Sequence, residues 1–391
     1  MTSTSTPPEA VPAPNPSTAR PARTPRRAPG DLSFVLDEAL VAAFAAEEPD
    51  WLGDDRRAAL ERYRILPTES NQLYTPYIDL RSADLADVTA YPEPAGVPDP
   101  AMDPPAVPTD AAALAHFDED RVVALSVDAA AGAAGVTVET LGGLIGRDPE
   151  TAHRLLTGTD LPADDRLAQL TRAAWNQGLV VRVPDRVRLD RPIVVRWAAG
   201  APGRALITRT IVELGAGASA SVVEEFVASD AAANATPDAG QALFTSTFEA
   251  HLGAGAELAV ASIQDFGPRQ ILFQHRTARI GEAASLHWAL AQLGARLARS
   301  RVDNRLDGDR SAVEQVEIVF AAGEQLFDLT SYTRHVGRDT TGNLLSKGAL
   351  LDQGRSYMKG LITIERSAVG TDSFLGEFGM NLSRAARAVA I

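Results

Sequence analysis

From about residue 175 to residue 391 the chain repeats one unit: a β-prone run, a small Gly/Ala turn and another β-prone run. The turns stand out in LGAGASASVVEEF (214–226), LGAGAELAVASIQDF (252–266), IGEAASLHWALAQLG (280–294) and KGALLDQGRSYMKGLITIE (347–365). Leu214-Gly215, Leu252-Gly253 and Ile280-Gly281 mark equivalent points, spaced 38 and then 28 residues apart. Unequal spacing suits stacked rungs of variable length, and it does not hold the six-residue phase of a hexapeptide-repeat acyltransferase. The turns are Gly/Ala/Asp loops that admit positive-φ corners, not a series of Asn-Gly hairpins. The pattern predicts a mainly β chain, a parallel β-helix (solenoid) whose ladders join successive rungs.

Period-2 alternation places strands at 207–214, 220–226, 244–252, 257–263, 271–280, 285–292, 312–319, 325–330 and 356–364. The stretch 229–240 reads as a loose loop over one rung. Only 6% of the residues are aromatic, so ladders of Val, Leu, Ile and Ala must fill the core.

The first 175 residues are written differently. Residues 1–31 form a Thr/Ser/Pro/Ala arm, expected to be disordered, with a solubilising basic patch at Arg20, Arg23, Arg26 and Arg27. Residues 32–175 form a helical and mixed region. Phe34, Val35, Ala39, Leu40, Phe44 and Ala45 share one helical face. A second helix is expected at 54–63, with Leu60 and Tyr63 facing its partner and Trp51 anchoring its start. Residues 67–105 read as a proline-rich surface connector. A strand follows at 122–127, alternation at Val136, Val138 and Leu141, and a helix opened by Asp148-Pro149-Glu150. Leu167, Leu170 and Ala174 continue a helical period into Trp175. The period then drops to 2, so the β-helix domain is set at 176–391.

Several chemistries are excluded. A net charge of −14 disfavours nonspecific nucleic-acid binding. The absence of cysteine removes disulfides, thiolate zinc sites, a cysteine nucleophile and all-cysteine cluster ligation. No apolar run nears the ~20 residues of a membrane span, and no signal segment opens the chain, so a cytoplasmic location is expected. The LGAGA turns lack the Lys-Ser/Thr of a phosphate-binding loop, so the chain itself should not hydrolyse ATP.

The remaining candidates have plain readings. No two of the six histidines have the spacing of a helical zinc site. Neighbouring rungs could gather His251, His275 and His287, but polar or interface positions are the favoured reading, and no metal is assigned. Asp303 to Asp309 lacks the EF-hand spacing and reads as a polar corner. Lys347 and Lys359, the two lysines, read as a solvated corner or a carboxylate's partner. Glu224, Glu225 and Glu249 do not identify themselves as an acid/base pair. Such a pair, at about 5–9.5 Å, would mark the alternative function, a polysaccharide-active or carbohydrate-binding β-helix.

EEPDWLGDDRRAAL (47–60), AAWNQGLVVRVPDRVRLDRPI (173–193), VVEEF (222–226), HVGRDTTGNLLSKGALLDQGRSYMKGLITIERSAVGTDSFLGE (335–377) and MNLSRAARAVAI (380–391) together resemble the SufB/SufD family of iron–sulfur cluster assembly scaffolds, its SufD branch most closely. Asn176, Gly178, Val183, Pro184 and Pro192, following Trp175, match the start of that family's β-helix. His335, Thr340, Lys347, Gly348, Gly360 and Gly370 match its later rungs. The resemblance implies a right-handed parallel β-helix behind a helical N-terminal region. It also implies a noncatalytic scaffold role, with these residues structural or at interfaces and no catalytic, cofactor or metal residue assigned. A SufB-like subunit would pair through the β-helix, and the absence of cysteine fits the SufD side of that pair. An iron–sulfur cluster would form transiently on the assembled complex, none being held by this chain alone. Family members continue past the strand matching 388–391, into the region that recruits a SufC-type ATPase and carries a cluster-forming histidine. Both functions are expected only where that region is present.

Overall fold

The computed structural model describes residues 30–68, 79–91, 107–236 and 238–391. The basic patch at residues 20–27 and most of the proline-rich connector lie outside them. In order, the chain forms α1 (Glu38–Ala45), α2 (Asp50–Ile65), β1 (Thr89–Ala90), β2 (Ala113–Asp118), β3 (Arg121–Val127), α3 (Ala129–Ala133), β4 (Thr137–Thr140), α4 (Leu141–Arg147), α5 (Pro149–Thr157) and α6 (Arg166–Ala174). It continues with β5 (Gln177–Val183), β6 (Ile193–Ala199), β7 (Arg204–Leu214), β8 (Ser219–Ala228), α7 (Asp230–Ala233), β9 (Ala242–Leu252), β10 (Glu257–Asp265), β11 (Gln270–Ile280) and β12 (Ser285–Gln292). Last come β13 (Leu297–Leu306), β14 (Ala312–Ala321), β15 (Leu326–His335), β16 (Thr341–Leu350), β17 (Arg355–Ile364), β18 (Asp372–Asn381) and β19 (Arg387–Ala390).

From β5 onward the strands alternate between two sheets. The odd sheet is ordered β19-β17-β15-β13-β11-β9-β7-β5-β4, and the even sheet β18-β16-β14-β12-β10-β8-β6-β2-β3. Neighbours from β5 and β6 onward are parallel and in continuous register, giving a right-handed parallel β-solenoid of about seven turns, as the glycine-cornered repeats predict. At its N-terminal end β3 pairs antiparallel with β2, and β4 with β5, so that end is closed.

One corner repeats in every turn. Arg186, Gly217, Gly255, Ala283, Arg310, Asp339 and Gly370 take φ between +53° and +83°. From Arg186 to Asp339, each donates its N–H to a carbonyl on the next turn, as Gly255 does to Glu282. Glycine suits this left-handed position, yet three consecutive turns from Ala283 to Asp339 do without it.

Aromatic rings fill the early lumen. Phe117 stacks on Trp197 at 4.1 Å, and Phe226, Phe244 and Phe266 pack edge to face or tilted beyond them. A second core lies outside the odd sheet, where Leu167, Leu170 and Trp175 meet Ile207, Leu243, Phe273 and Leu297. Residues 79–91 join this layer instead of crossing a surface: Leu80 and Leu85 are buried, and β1 pairs with β7.

Local differences from expectation have physical causes. Asp37 caps α1 by accepting from the Leu40 amide, so the helix starts at Glu38 and leaves Val35 in solvent. The α2 helix is longer than expected at both ends, and Leu141 opens a helix capped by Thr140. The expected loose loop at 229–240 contains α7, capped by Ser229, whose hydroxyl also donates to Glu119 at 2.5 Å. Strands β2, β13, β16 and β18 were not expected, and β15 runs on to His335. Asp303 to Leu306 lie within β13, so only the end of that supposed polar corner is a corner.

Candidate functional site

The family-like residues fall into two groups at opposite ends of the solenoid, with β7, β9, β11, β13 and β15 between β5 and β17. The first group joins the helical layer to the first turn. Trp175 ends α6 under the Arg56 guanidinium, whose centre lies 4.4 Å from its ring. Arg56 donates to the carbonyls of Ala173 and Trp175 and is held by Glu48 at 2.6 Å. Asn176 bridges two segments, accepting from the Ile207 amide at 3.0 Å and donating to the Tyr91 carbonyl at 3.2 Å. A Cβ on Gly178 would sit 2.2 Å from Leu141, so glycine is what lets α4 lie against β5. Pro184 ends β5 and lines an open groove of about 700 Å³ with Arg182, Glu213, His251 and Arg279. Most of its charges are already engaged: Glu213 binds Arg154 and Arg182, and Arg279 binds Asp307.

The second group knits the last turns. His335 points into the lumen and is fully buried, with Nδ1 2.8 Å from the Thr340 hydroxyl and Nε2 3.1 Å from the Ser373 hydroxyl. Burial pushes the imidazole below its usual range, which keeps it neutral. Thr340 also reaches Thr371 at 3.0 Å. Gly370 closes the same corner at φ +83°, where a Cβ would strike the Asp339 carboxylate. Gly360 faces Leu375, with room for no Cβ, and Gly348 is buried on the even sheet. The structure therefore brings His335, Thr340 and Gly370 together and leaves Lys347, Gly348 and Gly360 apart from them. Lys347 is exposed on the outer face of the even sheet, whereas Lys359 is buried against Asp328.

Other candidates are separated by the fold. His251 and His275 lie on the outer face of the odd sheet, and His287 on that of the even sheet, so the three do not converge. Among the described residues no group of three or more His, Asp or Glu is placed to hold a metal ion. Glu224 binds Arg276 in the lumen at 2.5 Å, Glu225 binds Arg196 outside at 2.7 Å, and Glu249 binds Arg209 beneath the helices at 2.7 Å. These carboxylates occupy three different surfaces, and none forms the pair that glycoside cleavage requires. Among the described residues no helix is long and apolar enough to cross a membrane.

Two clusters were missed from the sequence. Asp165, the N-cap of α6, meets Arg299 at 2.8 Å and Arg301 at 3.1 Å on β13, while His275 binds Asp303 at 2.8 Å beside them. Burial alone would push the Asp165 carboxyl up, but Arg299, Arg301 and His275 hold it far below the carboxylate range. In the lumen, Glu317 is fully buried beside Ser300 and Gln292, and burial raises it to about 7. The only trace of the first cluster is Arg on alternate positions of LARSRVDNRL.

The two ends of the solenoid differ most. Beyond the His335 cluster the last turn has no antiparallel cover among the described residues. Val369, Ile364, Leu382 and Leu361 are exposed there. Among the described residues β18 and β19 are the last strands of the two sheets.

Residues 197–391 match the family model described as SUF system FeS cluster assembly, SufBD core domain. An iron–sulfur cluster assembly SufBD family protein of Staphylococcus epidermidis is 21% identical over 342 residues, covering 84% of this chain and 71% of the relative. A protein of the same description from Staphylococcus saprophyticus is 21% identical over 343 residues, with the same two coverages. One from Staphylococcus aureus strain USA300 is 20% identical over 341 residues, covering 83% and 71%. With its parallel solenoid and this match from β6 to the last strand, the chain belongs to the SufBD family of iron–sulfur cluster assembly proteins.

Proposed function

We propose that this chain is a noncatalytic, SufD-like scaffold subunit of a SufBCD-type complex, acting in the cytoplasm and pairing with a SufB-like subunit through the last turns of its β-helix. The observation that carries this reading is the continuous parallel solenoid, matched by the SufBD core model from residue 197 onward, whose later turns carry the exposed apolar side chains of Leu361, Ile364 and Leu382. The absence of cysteine supports the SufD assignment, since sulfur acceptance would fall to the partner. The scaffold's contribution is stiffness. Continuous ladders hold the partner in fixed relation to the helical layer while a SufC-type ATPase, recruited by the assembly, changes shape.

Co-expression with SufB-like and SufC-type subunits tests this directly. Affinity capture should recover all three, and Ile364→Asp with Leu382→Asp should reduce capture of the SufB-like subunit by at least about tenfold. Recovery of this chain without that subunit, under anaerobic conditions as well, would reject the reading.

A further inference from the structure

The outer face of the even sheet carries apolar columns with no cover among the described residues. Following the ladder register from β8 to β18, one outward column reads Val223, Ala261, Ala289, Val316, Leu345 and Gly376. Its neighbour reads Glu225, Ile263, Ala291, Ile318, Lys347 and Phe378. Ile263, Val316 and Ile318 are between 43% and 50% exposed. Polarity is inverted on β14, where Gln315 and Glu317 point inward while Val316, Ile318 and Phe320 point to solvent. In a chain of net charge −14, the nearby acids on this face are compensated: Glu225 pairs with Arg196, and Glu314 lies 3.1 Å from His287. The odd sheet shows what such columns do when a cover exists, since α6 lies on Ile207, Leu243 and Phe273.

The face has the size of an interface. The five strands from β8 to β16, at ~4.8 Å, and three outward columns at ~6.7 Å give on the order of 500 Å² of flat surface. Two such faces bury about 1,000 Å², the size at which a specific interface begins.

The register also makes the face self-complementary. A two-fold axis in the interface plane along β12 carries β14 over β10 and β16 over β8 of a second copy. Ile318 then meets the second copy's Ile263, and Leu345 its Val223. Val316 meets the second copy's Ala261, and Lys347 its Glu225. Ala289 and Ala291 lie on the axis, where short side chains let the sheets approach to the ~10 Å of face-to-face packing. We infer that two copies of this chain dock here, sheet on sheet, across a two-fold axis along β12. The inference is independent of the SufB-like pairing, which uses the end of the solenoid, so either can fail alone.

Sedimentation velocity of the full chain across micromolar concentrations should show a dimer. Ile318→Asp should weaken it by at least about a hundredfold, and Ile318→Ala, a milder variant in case the first misfolds, by about tenfold. Lys347→Glu, which sets like charge against the second copy's Glu225, should weaken it, and Lys347→Arg should not. Because the chain has no cysteine, Ala291→Cys supplies a single thiol on the axis. A short bifunctional thiol reagent should link two copies through it, and not through Thr363→Cys on the odd sheet. A monomer at every concentration, a dimer indifferent to both Ile318 variants, or linkage favouring Thr363→Cys would each overturn the inference. Capture of the SufB-like subunit should be unchanged by Ile318→Asp, which separates this result from the test of the scaffold role.

Discussion

The two sheets share one set of turns and one rung geometry, yet their outer faces are opposites. On the odd sheet, β9 and β11 are buried on both sides, and the outward positions hold ions as well as apolar groups: Arg209 with Glu249, and Arg299 and Arg301 with Asp165. On the even sheet, β10 and β14 alternate strictly between buried and exposed, and much of the exposed set is apolar. The covered face thus buries ion pairs among its apolar groups, and the bare face leaves apolar groups in solvent. Where the chain supplies its own cover, buried ion pairs fix the position of that cover, because a misplaced helix would strand a charge away from water. A bare apolar face imposes weaker demands on register and suits a partner that arrives after folding.

The largest expected effect comes from breaking the covered face. Asp165→Ala removes the cap of α6, which accepts from the Ala168 amide at 2.8 Å, and leaves Arg299 and Arg301 buried without it. Loss of one partner of a buried pair costs about 3–5 kcal/mol. Urea unfolding should register that loss, and Asp165→Ser, which restores the cap alone, should recover only about 1 kcal/mol. The pH dependence has a definite sign. The folded-state pKa of Asp165 is depressed, so its contribution is present above the usual aspartate range and is lost as the pH falls through and below it. Equal stability of Asp165→Ala and wild type at pH 7 would mean that the helical layer is held by apolar contact only.

The second effect lies between the faces, in the lumen. Glu317 is raised from 4.5 to about 7, so the folded chain keeps a proton that the unfolded chain releases. Stability contributed at this site therefore falls as the pH rises from about 4.5 through 7. Glu317→Gln should remove that slope and add on the order of 3 kcal/mol at pH 8, with little change below pH 4.5. Denaturant unfolding at the two pH values checks it. No gain at pH 8 would place water or a further donor beside the carboxylate.

Much of the solenoid was legible because its corners are chemical events: Leu-Gly and Ile-Gly pairs recur where Gly215, Gly253 and Gly281 pack against the backbone of the turn below. What escaped notice has consistent causes. The strand β13, LARSRVDNRL, shows no apolar alternation because its outward side chains sit in ion pairs and its lumen side includes Ser300 and Asn304. Glycines in β16 and β18 resemble turns, yet Gly342 and Gly379 lie within the strands, where a Cβ would press on His335 or Ala388. On β14 alternation was visible, but its phase misleads, because Gln315 and Glu317 face inward while Val316, Ile318 and Phe320 face solvent. A period gives the element and says nothing of which side will be wet. The His335 cluster was visible only through the family resemblance; its partner Ser373 lies 38 residues away, beyond any local signal.

The smallest effect tests whether the two faces are independent. The corner at Ala283 joins β11 of the covered sheet to β12 of the bare one, and its φ of +53° is held by an L-residue where Gly217 and Gly255 serve earlier turns. Its side chain is exposed, so Ala283→Gly removes backbone strain without removing packing, while the added glycine loosens the unfolded chain. The two terms nearly offset, leaving a net gain of about 0.5 kcal/mol. Thermal unfolding should register a small rise in Tm. The Asp165 contribution on one face and dimerisation through the other should both stay as they were, since the Ala283 amide still donates to the Asp309 carbonyl at 2.8 Å. If relaxing this corner changes either one, the faces are coupled through the turns, and the rigid rung that separates a covered side from a docking side is not rigid there.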